Sequence, residues 1–196
     1  MKRPGTVVCV FVMLGCVAGA DATPIDLNNF WADSDVSVST DGASASFVES
    51  AFSAVVLSND PNLGDPEVIQ AGPDVWLEFD YNFTESALGD DEFGAWIIDP
   101  NTGGSFDVPG DPYEFFLNET GSGTVSFDLS GLDGISDLGF QFQLSSLPGD
   151  ADYGSTLGIS NLRLVSQVVV PEPATATLLG MGLAMFVARR RRKTIM

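Results

Sequence analysis

Between roughly residues 30 and 166 the chain is written in short runs of alternating apolar and polar residues, separated by clusters of Gly, Asp, Ser and Pro. Such a period of two predicts half-buried strands joined by turns. In Val75 to Phe83, the residues Val75, Leu77, Phe79, Tyr81 and Phe83 share one face, while Trp76, Glu78, Asp80 and Asn82 share the other. In Leu138 to Ser145, the residues Leu138, Phe140, Phe142 and Leu144 point one way and Gln141 and Gln143 the other. Phe93 to Asp99, Phe115 to Leu117 and Thr124 to Leu129 supply further strands.

The clearest hairpin is Val36 to Phe47 around Asp41-Gly42, a dipeptide suited to a type I′ turn. That turn pairs Val36 with Phe47, Ser37 with Ser46 and Val38 with Ala45, giving one apolar face and one serine face. The last run, Leu157 to Val165, changes phase: Leu157 and Ile159 alternate, then Leu162 and Leu164 do, which predicts a bulge at Ser160-Asn161. No internal repeat and no helical periodicity interrupt the series before the tail. Eight or nine such strands predict an all-β, antiparallel jelly-roll-like β-sandwich over residues 23–166.

The two ends are written differently. Lys2 and Arg3, the apolar stretch Val7 to Val17 and the small residues Ala18-Gly19-Ala20 form a signal peptide over residues 1–22, with cleavage after Ala20 or Ala22. Both cysteines, Cys9 and Cys16, fall in this leader, so the mature domain has neither a disulfide nor a thiol nucleophile. Residues 167–196 form a three-part tail: Val170-Pro171-Glu172-Pro173-Ala174, an uncharged run over 174–188, and Arg189-Arg190-Arg191-Arg192-Lys193. The two prolines hold the first part extended and readable. The second part, at about 1.5 Å per residue, makes a helix of roughly 22 Å, short for a bilayer. The cations stop translocation and extend the helix's reach by snorkelling, which predicts a single transmembrane helix.

That order of parts resembles the PEP-CTERM sorting signal of exported proteins of Gram-negative bacteria. The resemblance implies passage through the Sec translocon and signal peptidase, a transient stay in the inner membrane, and cleavage near the motif by exosortase. The destination it implies is the cell surface or an extracellular, biofilm-type matrix. An ordinary single-pass anchor is the alternative reading of the same residues.

Composition then limits the chemistry of the middle. From Thr23 to Val170 there are 25 acidic residues against one basic residue, Arg163, and neither Lys nor His. Nucleic acid is excluded as a direct partner, because nothing neutralises its phosphates. The usual catalytic bases, nucleophiles and triads are absent, so the domain reads as no enzyme; a carboxylate-dependent glycosidase is the one catalytic alternative.

Two binding chemistries are compatible with the residues. Trp76, beside Glu78, Asp80 and Asn82, offers an aromatic and hydrogen-bonding groups to an extracellular polysaccharide, the alternative being that it lies covered under a loop, whereas Trp96 and Trp31 read as core. A purely structural surface protein without a small ligand is the alternative. Asp60, Asn62, Asp65 and Glu67 crowd one loop and Asp90-Asp91-Glu92 another, as oxygen ligands for a structural Ca²⁺ would. The closing run Ile159 to Leu164 is similar to the last strand of galactose-binding-like and carbohydrate-binding jelly rolls. That resemblance implies a calcium near the first and last strands, at Asp26, Asn28 and Asn161.

Overall fold

The computed structural model describes residues 20–50, 54–87, 91–106, 112–146 and 153–167. The leader up to residue 19 and the tail from residue 168 lie outside the described residues, as does Asp90. Eleven strands are present among them: β1 (Ala20–Pro24), β2 (Trp31–Ala32), β3 (Val36–Val38), β4 (Ser44–Val48), β5 (Ala54–Asn59), β6 (Val75–Thr84), β7 (Glu92–Ile98), β8 (Glu114–Leu117), β9 (Gly121–Asp128), β10 (Gly139–Ser145) and β11 (Thr156–Gln167). All pairings are antiparallel.

One sheet has the order β3-β4-β11-β6-β9, with β1 also on β11; the other has the order β2-β5-β10-β7-β8. The predicted sandwich is thus present, with more strands than the pattern announced. The strand β5 was hidden because Val55, Val56 and Leu57 are apolar on both faces, which erases the alternation. With two residues, β2 is too short to show a period. Strand β1 begins at Ala20, inside the stretch assigned to the leader, and pairs with Arg163 to Gln167.

The core is aromatic. Phe79 of the first sheet packs edge-on against Phe142 and Phe93 of the second, at ring-centroid distances of 5.0 and 6.3 Å. Phe47, Phe83, Phe140, Leu57 and Leu77 are fully enclosed beside them. The inward set expected for β6 is present as predicted, with Leu77, Phe79 and Phe83 buried and Tyr81 partly so. Each such side chain contributes on the order of 1.5–3 kcal/mol by leaving water.

The predicted bulge is real and has a structural purpose. Asn161 adopts φ 55°, and the β11–β6 register shifts between Ser160 and Arg163. On the opposite edge of β11, the partner changes at the same place: β4 pairs with residues 156–160 and β1 with residues 163–167. The inserted residue restores the inward phase, so that Leu162 is buried.

The hairpin register also matches, pairing Val36 with Phe47, Ser37 with Ser46 and Val38 with Ala45. Its turn differs from the expected type I′. Gly42, at φ 66°, is the sole turn residue on the left-handed side, whereas type I′ needs a positive φ at Asp41 too. Asp41 instead accepts from the Ser39 hydroxyl at 2.7 Å and the Ala43 N–H at 3.2 Å, bonds that hold its carboxyl below the usual range.

Candidate functional site

The outward faces of the two sheets carry different chemistry. On the first sheet, Trp76, Glu78, Asp80 and Asn82 do share the outer face of β6, as the alternation predicted. Most of their polar groups are consumed by neighbours. Asp80 accepts from the Thr124 hydroxyl at 2.6 Å and from the Asn161 amide at 2.7 Å. These two bonds, in that order, lower its pKa from the ordinary carboxylate value, with a smaller contribution from Arg163. Glu78 pairs with Arg163 at 2.7 Å, and Arg163 also donates to the Asn161 carbonyl. Trp76 is half-buried between Val165 and Asp128.

On the second sheet the register lines up a different row across the strands. Trp31 stands opposite Ser58, Ser58 opposite Gln141, Gln141 opposite Trp96, and Trp96 opposite Glu114. The next outward row runs Val56, Gln143, Gly94, Phe116. Trp31 is 56% exposed and Phe116 51%. Trp96 is, like Trp76, partly buried, and lies beside Phe116, with centroids 6.2 Å apart. These placements correct the reading of Trp31 and Trp96 as core residues. In β7 the buried phase belongs to Phe93, Ala95 and Ile97, so Trp96 must point outward. The continuous apolar run concealed that phase, and the shortness of β2 concealed Trp31.

Between the aromatics lies an amide floor. Gln141 donates to the Gln143 carbonyl at 3.1 Å, and Gln143 donates to the Ser145 hydroxyl at 2.6 Å. Each amide uses one of its two N–H donors in this ladder, and the ladder leaves the other uncommitted. Gly94 leaves the space: a Cβ there would lie 3.0 Å from both the Phe116 and the Trp96 rings. From Trp31 to Trp96 the row crosses three strand spacings, about 14 Å. The result is a floor of Ser58, Gln141 and Gln143 with an aromatic group at either side, an arrangement of groups suited to sugar rings stacked by their apolar faces and bonded by their hydroxyls.

The predicted calcium ligands fall into separate places. Asp60, Asn62 and Asp65 come together around a short 3-10 turn at Pro61–Leu63. There Asp60 accepts from the Asn62 N–H at 3.0 Å, and the Asp60 N–H donates to Asp65 at 2.9 Å. Glu67 is apart from them, exposed and lining a shallow depression with Asp133 and Asp137. Asp26 caps the turn Leu27–Asn29 by accepting from the Asn28 N–H at 2.9 Å, whereas the Asn161 side chain is turned to Asp80. Among the described residues, no group of three or more His, Cys, Asp or Glu is arranged to hold a metal ion.

Residues 169–193 match the model of the PEP-CTERM protein-sorting motif. The motif marks a protein that is exported and sorted to the cell surface, with processing by exosortase at the membrane. It covers Val170 to Ala174, the uncharged run and the cations Arg189 to Lys193, and so agrees with the resemblance those residues carry. No curated protein matches the chain. Among the described residues no helix is long and apolar enough to cross a membrane, and segment 174–188 lies outside them.

Proposed function

We propose that this chain delivers a non-catalytic, jelly-roll β-sandwich to the cell surface or extracellular matrix, where it binds polysaccharide through the outer face of its second sheet. One observation carries the reading: Trp31, Trp96 and Phe116 share that face with the Gln141–Gln143 ladder. The strand orders β4-β11-β6-β9 and β5-β10-β7-β8, read against each other, support a jelly roll. The ligand is an uncharged or amino-bearing polymer, since the domain's acidic field repels uronic acids and sulfates.

Binding to a panel of neutral, amino and uronic polysaccharides tests this. Saturable binding to a neutral or amino polymer is expected. Binding to none of them returns the domain to a purely structural role, and turnover of one makes it a glycosidase.

The route to the surface is the second part of the proposal. It begins with a Sec-type leader removed by signal peptidase, passes through the inner membrane of a Gram-negative cell and ends with an exosortase cut near Pro171–Ala174. Intact mass of the protein from cells and medium tests it. A C-terminus between Glu172 and Ala174 is expected, and retention of Arg189 to Lys193 in the mature species would make the tail a plain anchor.

A further inference from the structure

The rings on the outer face of the second sheet are distributed across the strands and not along them. Trp31 on β2, Ser58 on β5, Gln141 on β10 and Trp96 on β7 occupy one row, each directly opposite the next. Taken singly, β2, β7 and β8 each carry one outward ring, Trp31, Trp96 and Phe116. The outward positions of β5 and β10 carry none. A ligand that touches more than one ring therefore crosses the strands.

Strand spacing sets the scale of the row. Neighbouring strands lie about 4.8 Å apart, so Trp31 and Trp96 stand at the ends of three steps, about 14 Å. A pyranose ring joined to its neighbours by equatorial bonds at C1 and C4 advances its chain by about one such step. A ring joined through an axial bond at C1 advances the chain less and coils it, which carries it off a straight row. The twist of a sheet rotates successive outward positions by roughly 20–25° per strand. A single chain follows that rotation at its glycosidic bonds.

We propose that this row binds an extended polysaccharide of equatorially joined pyranoses, of the β-1,4-linked type, lying across the strands with one sugar unit per strand. The inference rests on the polysaccharide-binding role proposed for this face and adds the linkage, direction and length of the ligand. In a four-unit segment the end units stack on Trp31 and on Trp96, the latter ring braced by Phe116 at 6.2 Å. The two units between them lie over Ser58 and Gln141. There the Ser58 hydroxyl and the Gln141 N–H that the ladder leaves uncommitted meet sugar hydroxyls. All four side chains of the row from Trp31 to Trp96 are uncharged, which matches a neutral chain.

Calorimetry of the full chain in detergent tests this with β-1,4-linked oligomers of glucose, mannose and N-acetylglucosamine, from dimer to hexamer, beside an α-1,4-linked glucose series. For at least one β-linked series, affinity should rise about 10–30-fold from dimer to tetramer, the gain of a second aromatic anchor, and change less than about threefold beyond the tetramer. Trp31→Ala, at an exposed position, should bind that tetramer within about threefold of the wild type's affinity for the dimer. The α-linked tetramer should bind at least about tenfold more weakly than the β-linked one. Failure of every polymer in the polysaccharide panel removes the binding role itself, and this inference with it. Where a polymer does bind, four results overturn the inference and leave the binding role standing: no binding of any β-linked series, affinity independent of oligomer length, a dimer-to-tetramer rise preserved in Trp31→Ala, or equal binding of the α-linked series.

Discussion

The two outer faces of this sandwich are built from the same alternation and end as opposites. On the first sheet, serines, Asp80, Glu78, Thr124, Asn161 and Arg163 satisfy one another, and the single large aromatic, Trp76, is half-sunk among them. On the second, Trp31 and Phe116 stand in solvent, Trp96 leans on Phe116, and an amide ladder runs between. A polar face that has spent its hydrogen bonds internally is a wall. One that keeps donors beside exposed rings is the surface proposed for a ligand. Residue types alone did not separate them, since each face holds a tryptophan among polar neighbours.

The comparison breaks most readily at the aromatics. Replacing Trp31 and Trp96 together by Ala should weaken polysaccharide affinity by at least about a hundredfold, and each alone by about 10–30-fold, as expected of buried-on-binding aromatic anchors. Trp76→Ala should stay within about twofold, measured by calorimetry on the same polymer. If Trp76→Ala carries the loss, the first sheet is the binding face.

A smaller effect is expected from the floor. Gly94→Ala places a methyl 3.0 Å from the Trp96 and Phe116 rings, so both must shift. Affinity should fall about tenfold, with a stability cost of about 1 kcal/mol or slightly more. Chemical denaturation alongside the binding assay separates the two.

On the first sheet, stability rather than affinity should respond. Asn161→Ala loses the bond to Asp80 and forces alanine into φ 55°, costing about 1–2 kcal/mol by denaturation, with polysaccharide affinity unchanged. Asn161→Gly keeps the backbone freedom and should cost less.

The smallest effect is acid dependence at Asp80. Its pKa is depressed in the folded state by the Thr124 and Asn161 bonds, so the carboxylate form favours the fold. The resulting stability is complete above the unfolded value, about 3.9, and is lost as pH falls through the lower, folded value. The advantage of the wild type over Asp80→Asn should therefore be constant near neutrality, begin to fall at about pH 4 and vanish only once the pH lies below the depressed folded value, in melts at matched salt.

Much of the architecture was legible because the alternation in β6 and β10 is strict and the hairpin and bulge are marked by Asp41-Gly42 and Ser160-Asn161. The sorting tail was legible because its three parts are contiguous in sequence. The proposed ligand face was not. It depends on cross-strand register between β2, β5, β10, β7 and β8, with outward partners as far apart as Val56 and Gln143, 87 positions, and a single sequence carries no record of which strands become neighbours. In β7 the run Phe93 to Ile98 is apolar throughout, so only the structure shows that Trp96 is out of phase with the core.

The most direct test of the two-face account is intrinsic fluorescence of single-tryptophan variants during titration with the polysaccharide that binds. With three tryptophans in the chain, each can be left alone by replacing the other two with Phe. The account predicts a saturable change in emission from Trp31 and from Trp96 and a flat trace from Trp76. A change confined to Trp76, with Trp31 and Trp96 silent, would contradict it.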